Sequence, residues 1–161
     1  MDSLMKRLLV LSSALSLVAC LDVNAPQGSN PVFETFAPSL GIDLADTLTW
    51  KHTTAGTYYK DEVPGGGASL VVTSADDSIF VDYAGYLKDA TNFTSGTQPL
   101  RRKATDVIVG FVDGMQDMRV GGTRLIVVPS SLGYRDAAVG TIPPNSTLVF
   151  RIKLNGFYNF D

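Results

Sequence analysis

A single cysteine, Cys20, and a single histidine, His52, are present in 161 residues. One cysteine excludes an internal disulfide and any multi-cysteine zinc site. One histidine leaves no histidine-based catalytic or metal constellation, so neither a metal nor another cofactor is expected. Positive charge is also scarce: 13 Lys and Arg stand against 16 Asp and Glu, a net charge of −3. Phosphate neutralisation needs clustered Lys and Arg, so no nucleic-acid partner is expected. The short basic run Arg101-Arg102-Lys103 reads as a solvated loop. Gly65-Gly66-Gly67 lacks a following Lys-Ser/Thr and reads as a turn, not a phosphate loop. Asp76-Asp77 has no second carboxylate cluster to complete a calcium loop. The longest apolar run, Leu8 to Ala19, has 12 positions and is too short to span a bilayer comfortably. What is left is 45% hydrophobic and 18% charged, the composition of one packed domain with a tail.

The tail has its own pattern. Lys6 and Arg7 precede the apolar run, which closes on Leu17-Val18-Ala19-Cys20. This resembles a bacterial lipobox, in which the cysteine thiol takes a diacylglyceryl group and becomes the mature N-terminus. An ordinary secretory signal or a buried N-terminal helix are the other readings. The expected organisation is a lipoprotein signal peptide over 1–19, a lipidated Cys20 with a flexible tether over 20–40, and a domain over 41–161. Residues 1–19 hold Asp2, Lys6 and Arg7, so their removal moves the net charge from −3 to −4. Asp22 to Pro38 has the Asn, Pro and Gly content of a linker, with Phe33 and Phe36 able to dock on the domain or on a membrane. The expected location is the cell envelope, lipid-anchored and extracytoplasmic or periplasmic. Leu21 stands where an Asp commonly retains such lipoproteins in the inner membrane, which favours the outer one.

From about Lys51 the pattern is strand-like. Ser78 to Leu87 alternates, with Ile79, Val81 and Tyr83 on one face and Asp82 on the other. Thr123 to Val128 is a β-branched run closed by Pro129. In Thr147 to Leu154, Leu148, Phe150, Ile152 and Leu154 point one way and Val149, Arg151 and Lys153 the other. Such alternation predicts an antiparallel sheet with one wet face. Val107, Ile108, Phe111, Val112, Met115 and Met118 recur at helical spacing, with Thr105 or Asp106 to cap the start and Gly121 or Gly122 the end. Gly110 and Gly114 weaken that helix and point to close backbone approach. Gly41 to Leu48 reads as a short helix or turn, and Trp50 as a surface or packing residue. The fold class is α+β: a curved antiparallel sheet wrapped on one short helix.

Several segments carry a resemblance. Val81-Asp82-Tyr83-Ala84-Gly85-Tyr86-Leu87 resembles the central strand of FKBP-type peptidyl-prolyl isomerases. Val107 to Met115 is similar to that family's helix, and Met118-Arg119-Val120-Gly121-Gly122-Thr123-Arg124 to the turn into its next strand. Leu132-Gly133-Tyr134 and Ile142-Pro143-Pro144-Asn145-Ser146-Thr147-Leu148-Val149-Phe150 look like its last loop and strand, and Gly56 to Asp61 like the strand that often opens bacterial members. The likeness runs from about Gly56 to Phe157.

The resemblance implies an FKBP-like fold and a peptidyl-prolyl cis-trans isomerase acting on X-Pro bonds of unfolded or exported proteins, without covalent catalysis. It implies catalytic roles for Tyr83, Phe93, Ile108, Phe111 and Tyr134. Thr94, Leu100, Val107, Ile142 and Phe150 would complete the substrate site. Phe111 would be the floor, the Ile108 backbone N–H would meet one substrate carbonyl, and the Tyr134 hydroxyl a second. The expected state is a monomer. Thr94 stands where the family usually has Asp, Phe111 where it has Trp, and Leu100 where it has a wall Phe. The Pro99–Val107 stretch is also short. Fewer aromatic edges and no carboxylate are then left to grip a macrolide. The alternative is a catalytically weak FKBP-like chaperone or partner-binding module.

Overall fold

The computed structural model describes residues 30–159 apart from 73, 75 and 97–99, with backbone alone for 100–102 and 104. Cys20, the expected signal peptide and the tether up to residue 29 lie outside the described residues.

Seven strands form one antiparallel sheet: β1 (Lys51–His52), β2 (Tyr58–Val63), β3 (Ser78–Leu87), β4 (Asn92–Ser95), β5 (Leu100–Lys103), β6 (Thr123–Val128) and β7 (Leu148–Tyr158). The order is β1-β2-β6-β7-β3-β4, and β5 also pairs with β3. β3 and β7 pair along their whole lengths at the centre. On the other side of β3, β5 takes Ser78 to Val81 and β4 takes Ala84 to Tyr86, so the two short strands follow one another along the same neighbour.

Alternation sorts the two faces. Ile79, Val81, Ile126, Leu148, Phe150, Ile152 and Leu154 are buried on the concave face, against the helix α1 (Val109–Met115) and its Phe111 and Met115. The helix is shorter than the periodicity predicts. Val107 is extended and Ile108 is the N-cap. At the other end Asp117 takes a positive φ of 61°, and Met118 leaves the helix to bond backbone with Leu70. Apolar side chains on both flanks belong to the core, which extends the apparent helical period past the helix itself.

Both helix glycines are sites of close approach. A Cβ on Gly110 would overlap the Val128 side chain, and one on Gly114 would stand 2.8 Å from the Thr57 methyl and 3.0 Å from Ile126. Tie points at both ends reinforce this packing. The Thr57 hydroxyl reaches the Gly110 carbonyl at 3.4 Å. Arg124 on β6, itself buried, donates to the carbonyls of Gly114 at 3.0 Å and Gln116 at 2.9 Å. Its guanidinium also grips Asp61 at 2.7 and 3.1 Å and lies 4.3 Å over the Tyr59 ring. The two Arg124 bonds satisfy carbonyls at the C-terminal end of the helix, which lack intrahelical partners.

The convex face is not wet, contrary to the sequence pattern. Residues 30–50 cross it as a strap. Leu40, Leu44 and Trp50 pack on Leu125, Val127 and Val149, with Phe36, Ala37, Tyr58 and Tyr86 around them. Trp50 is 4% exposed and so is a packing residue. The strap is latched where it crosses the β3–β4 turn and the start of β7. Ala37 N–H donates to the Lys88 carbonyl at 2.7 Å, and the Thr147 hydroxyl donates to Glu34 at 2.5 Å. Residues 30–40, which composition alone places in the tether, are therefore part of the folded unit. Proline-rich sequence hides this because its buried contacts, Pro31, Phe36 and Leu40, have no period.

Candidate functional site

A cleft of about 570 Å³ opens between the concave face and the helix. β3 supplies Val81 and Tyr83, and β4 supplies Phe93 and Thr94. The helix entry contributes Thr105 to Ile108, with Phe111 from the helix itself. Tyr134 and Val139 to Ile142 come from the loop before β7, and Phe150 from β7. Register explains the meeting. Ile126, Phe150, Gly85 and Thr94 lie side by side across β6, β7, β3 and β4. Residues in one row share a face, so Phe150 and Thr94 both front the cleft.

Four rings form a continuous edge-to-face chain through it. Tyr83 meets Phe111 at 5.9 Å and 84°, Phe111 meets Phe150 at 5.2 Å and 87°, and Phe150 meets Phe93 at 5.6 Å and 87°. At each contact the positive edge of one ring meets the negative face of the other, a geometry worth about 0.5–1.5 kcal/mol per pair beyond burial. The chain holds three walls and the floor of one apolar box in fixed orientation.

Gly85 makes room for it. A Cβ there would stand 2.7 Å from Phe93 Cζ, 2.8 Å from Thr94 Cγ2 and 2.9 Å from Phe150 Cε1. Real side chains do not tolerate such spacings, so the aromatic wall depends on a glycine in the middle of the central strand.

Polar groups at the cleft are few. Among the described residues, the Ile108 N–H has no acceptor, and the Tyr83 and Tyr134 hydroxyls have no partner. Asp106 turns its carboxylate back to the Lys103 N–H at 3.3 Å. On the loop side, Val139 and Ile142 exchange backbone bonds at 3.0 and 2.9 Å across a tight turn with Gly140 at φ 58°. Such an arrangement can bury a small apolar ring and offer donors to carbonyls beside it. His52, the one histidine, lies on β1 against Tyr58 and away from the cleft.

Nine of the ten site residues expected from the sequence line this one cleft: Tyr83, Phe93, Thr94, Val107, Ile108, Phe111, Tyr134, Ile142 and Phe150. The tenth, Leu100, pairs its backbone with Val81, and its side chain lies outside the described residues. Sequence reasoning missed Gly85, Val81 and the Val139–Thr141 turn. Gly85 was legible as a glycine inside a strand pattern, a usual mark of close approach.

Comparison with known proteins gives a consistent result. The family model for FKBP-type peptidyl-prolyl cis-trans isomerases matches residues 72–155. The isomerase FkpA of Escherichia coli K12 is 34% identical over 125 residues, which is 75% of this chain and 42% of that protein. A probable FkpA of Neisseria meningitidis is 37% identical over 108 residues, 65% of this chain and 39% of that one. The chain thus spans about two fifths of the length of these curated relatives. Among solved structures, a peptidyl-prolyl cis-trans isomerase from Pseudomonas syringae superposes with a TM-score of 0.65 at 28% identity, covering 74% of this chain and 88% of that one. The crystal structure of Escherichia coli FkpA gives a TM-score of 0.63 at 32% identity, covering 71% of this chain and 54% of that one.

Proposed function

The chain belongs to the FKBP-type peptidyl-prolyl cis-trans isomerase family, and on that premise we propose that it accelerates rotation about X-Pro bonds in unfolded or exported proteins. Uncatalysed, this rotation faces a barrier of about 18–20 kcal/mol and takes tens of seconds or longer. The barrier is lost amide resonance, so the twisted transition state is less polar than the planar ground state. A dry apolar box that fits the twisted form stabilises it differentially, with no nucleophile, metal or general base.

The observation that carries this reading is the aromatic chain from Tyr83 to Phe93 beside unengaged donors. The proline ring would sit over Phe111, between Tyr83 and Phe150. The Ile108 N–H would take the carbonyl on one side of the bond and the Tyr134 hydroxyl one on the other. Both donors would hold the chain while the amide turns, and neither exchanges a proton. Val107, Ile142 and Thr94 would close the rim.

The proposal extends to location. Cys20 carries a lipid, residues 20–29 form the tether, and the domain faces an extracytoplasmic compartment, on the outer membrane where a cell has two. A monomer suffices, since one chain supplies every wall of the cleft. The supporting feature is the position of the chain's one cysteine at the end of Leu17-Val18-Ala19.

A protease-coupled prolyl-peptide assay tests the activity. Acceleration over the uncatalysed rate is expected; none would leave a binding module in its place. Stable attachment needs more than one acyl chain or a second signal. Cys20→Ser should therefore lose lipid labelling and leave the membrane fraction. Membrane attachment of a signal-cleaved Cys20→Ser protein would overturn the anchor.

A further inference from the structure

Two phenylalanines three residues apart near the start of the folded unit have opposite fates. Phe36 packs into the cluster beneath the strap. Phe33 is 86% exposed, and its neighbour Val32 is 37% exposed. This exposure is built rather than frayed. Phe33 ends a 3-10 turn over Pro31–Phe33, whose Asn30 side chain accepts the Val32 N–H at 3.1 Å and whose Pro31 is buried. Phe33 and Glu34 donate back to Asn30 and Pro31 at 3.1 and 3.0 Å. Glu34 then fixes the turn to the domain through Thr147 at 2.5 Å and Lys88 at 3.4 Å. A rigid turn therefore points an aromatic ring into solvent and holds it there.

We infer that Phe33 is a membrane-contact residue, inserting its ring into the interface of a neutral phospholipid surface and so fixing the orientation of the tethered domain. The inference rests on the lipid anchor proposed above. Cys20 lies ten residues before Asn30. That length of chain spans at most about 33–36 Å fully extended and far less on average, so an anchored Cys20 keeps the Phe33 turn beside the bilayer. An exposed phenylalanine ring held beside a bilayer gains by burying its apolar area in the headgroup–acyl boundary. The lipid class follows from charge. Glu34 is next in the chain and Asp43 lines the same shallow groove, against Lys88. Such a surface gains nothing from anionic headgroups, which attract basic clusters. Contact at the strap leaves the cleft free, because strap and cleft lie on opposite faces of the sheet.

The chain contains one tryptophan, Trp50, buried under the strap, whose own emission is a constant background shielded from a quencher in the lipid. The full lipidated chain and its Phe33→Trp variant are reconstituted into phosphatidylcholine vesicles, plain or brominated near the headgroup, and floated. Wild-type emission should be unaffected by brominated lipid. Phe33→Trp should add a blue-shifted component that brominated lipid quenches, unchanged by added anionic lipid. A protein that floats while the added indole remains in water and unquenched overturns the contact and leaves the anchor standing. A protein that does not float overturns both. Because indole itself favours interfaces, amide exchange over residues 31–35 is compared between wild type and Phe33→Ser on the same vesicles. Slower exchange in wild type is expected, and equal exchange overturns the inference.

Discussion

The Thr53 hydroxyl donates to the Asp113 carboxylate at 2.5 Å and thereby joins the β1–β2 turn to the helix that floors the cleft. The same oxygen accepts the N–H groups of Gly56 at 3.2 Å and Thr57 at 3.1 Å. Thr53→Val removes all three bonds and leaves the Thr57 N–H without its acceptor and the Asp113 carboxylate without its donor, while the Gly56 N–H keeps the Thr53 carbonyl at 3.2 Å. A stability loss of about 2 kcal/mol is expected in denaturant unfolding. Thr53→Ser should restore it. Equal stability of the Val and Ser variants would show that the bond carries nothing.

Phe111 and Tyr134 separate packing from chemistry. Phe111→Ala opens the floor and should cost about 3–5 kcal/mol, with isomerase activity lost alongside. Tyr134→Phe removes one hydroxyl that has no partner among the described residues, so the melting temperature should hold. kcat/KM should fall a few-fold if that hydroxyl meets the substrate. Unchanged kcat/KM in Tyr134→Phe would remove it from the site.

Thr94 and Tyr83 share the cleft, and the Tyr83 hydroxyl is unbonded among the described residues. A carboxylate in place of Thr94 would accept that hydroxyl in a charge-assisted bond, roughly twice as strong as a neutral one. Thr94→Asp should therefore raise kcat/KM by a few-fold, through a better-held wall. Lower activity at unchanged melting temperature would show a pocket built differently at this rim.

At Gly110 two effects oppose each other. Alanine is the better helix former by about 1 kcal/mol. Its Cβ would overlap the Val128 side chain, and overpacking of this kind costs about 1–3 kcal/mol. Gly110→Ala should thus destabilise. Gly66→Ala, where a Cβ meets nothing within 4 Å, is the control and should be neutral or slightly stabilising. A melting temperature raised by Gly110→Ala would refute the close approach.

Asp46 gives the strap an acid-sensitive turn. Its carboxylate accepts the Thr49 hydroxyl at 2.7 Å and the Leu48 N–H at 3.1 Å, and the Thr49 bond foremost holds its pKa below the ordinary value of 3.8. A lowered carboxylate pKa contributes stability that is present above the unfolded value and lost as pH falls through the folded one. The Trp50 N–H bonds to the Asp46 carbonyl, so Trp50 emission reports on the turn. Asp46→Asn should flatten the acid limb of that signal below about pH 4. An unchanged acid limb would assign it to other carboxylates.

The strands and the cleft were legible for one reason: both are written in period-2 alternation and in short motifs. Ser78 to Leu87 and Thr123 to Val128 match β3 and β6 residue for residue. The aromatic chain follows, because Tyr83 and Phe150 alternate inward on strands that pair. The strap was not legible. Phe36, Leu40, Leu44 and Trp50 dock singly on a face whose own contributors, Leu125, Val127 and Val149, share it with Lys60, Arg151 and Lys153. Val149 alternates with Arg151 and Lys153, so pattern alone assigns it to solvent. Helix length failed for a related cause: Val107 packs on the core and Met118 is buried in it from positions outside the helix, and burial does not report conformation.

The strap also decides where mechanical load goes. A pull on the chain ahead of Asn30 enters the described fold there and reaches the Glu34 latch on Thr147 and Lys88 before any strand. Those few bonds and the apolar contacts of Leu40 and Trp50 can part without breaking the backbone ladder of β3 and β7, which runs the full length of the central pair. Under tension the strap would peel first and act as a fuse, releasing up to about 20 residues of chain while the cleft keeps its shape.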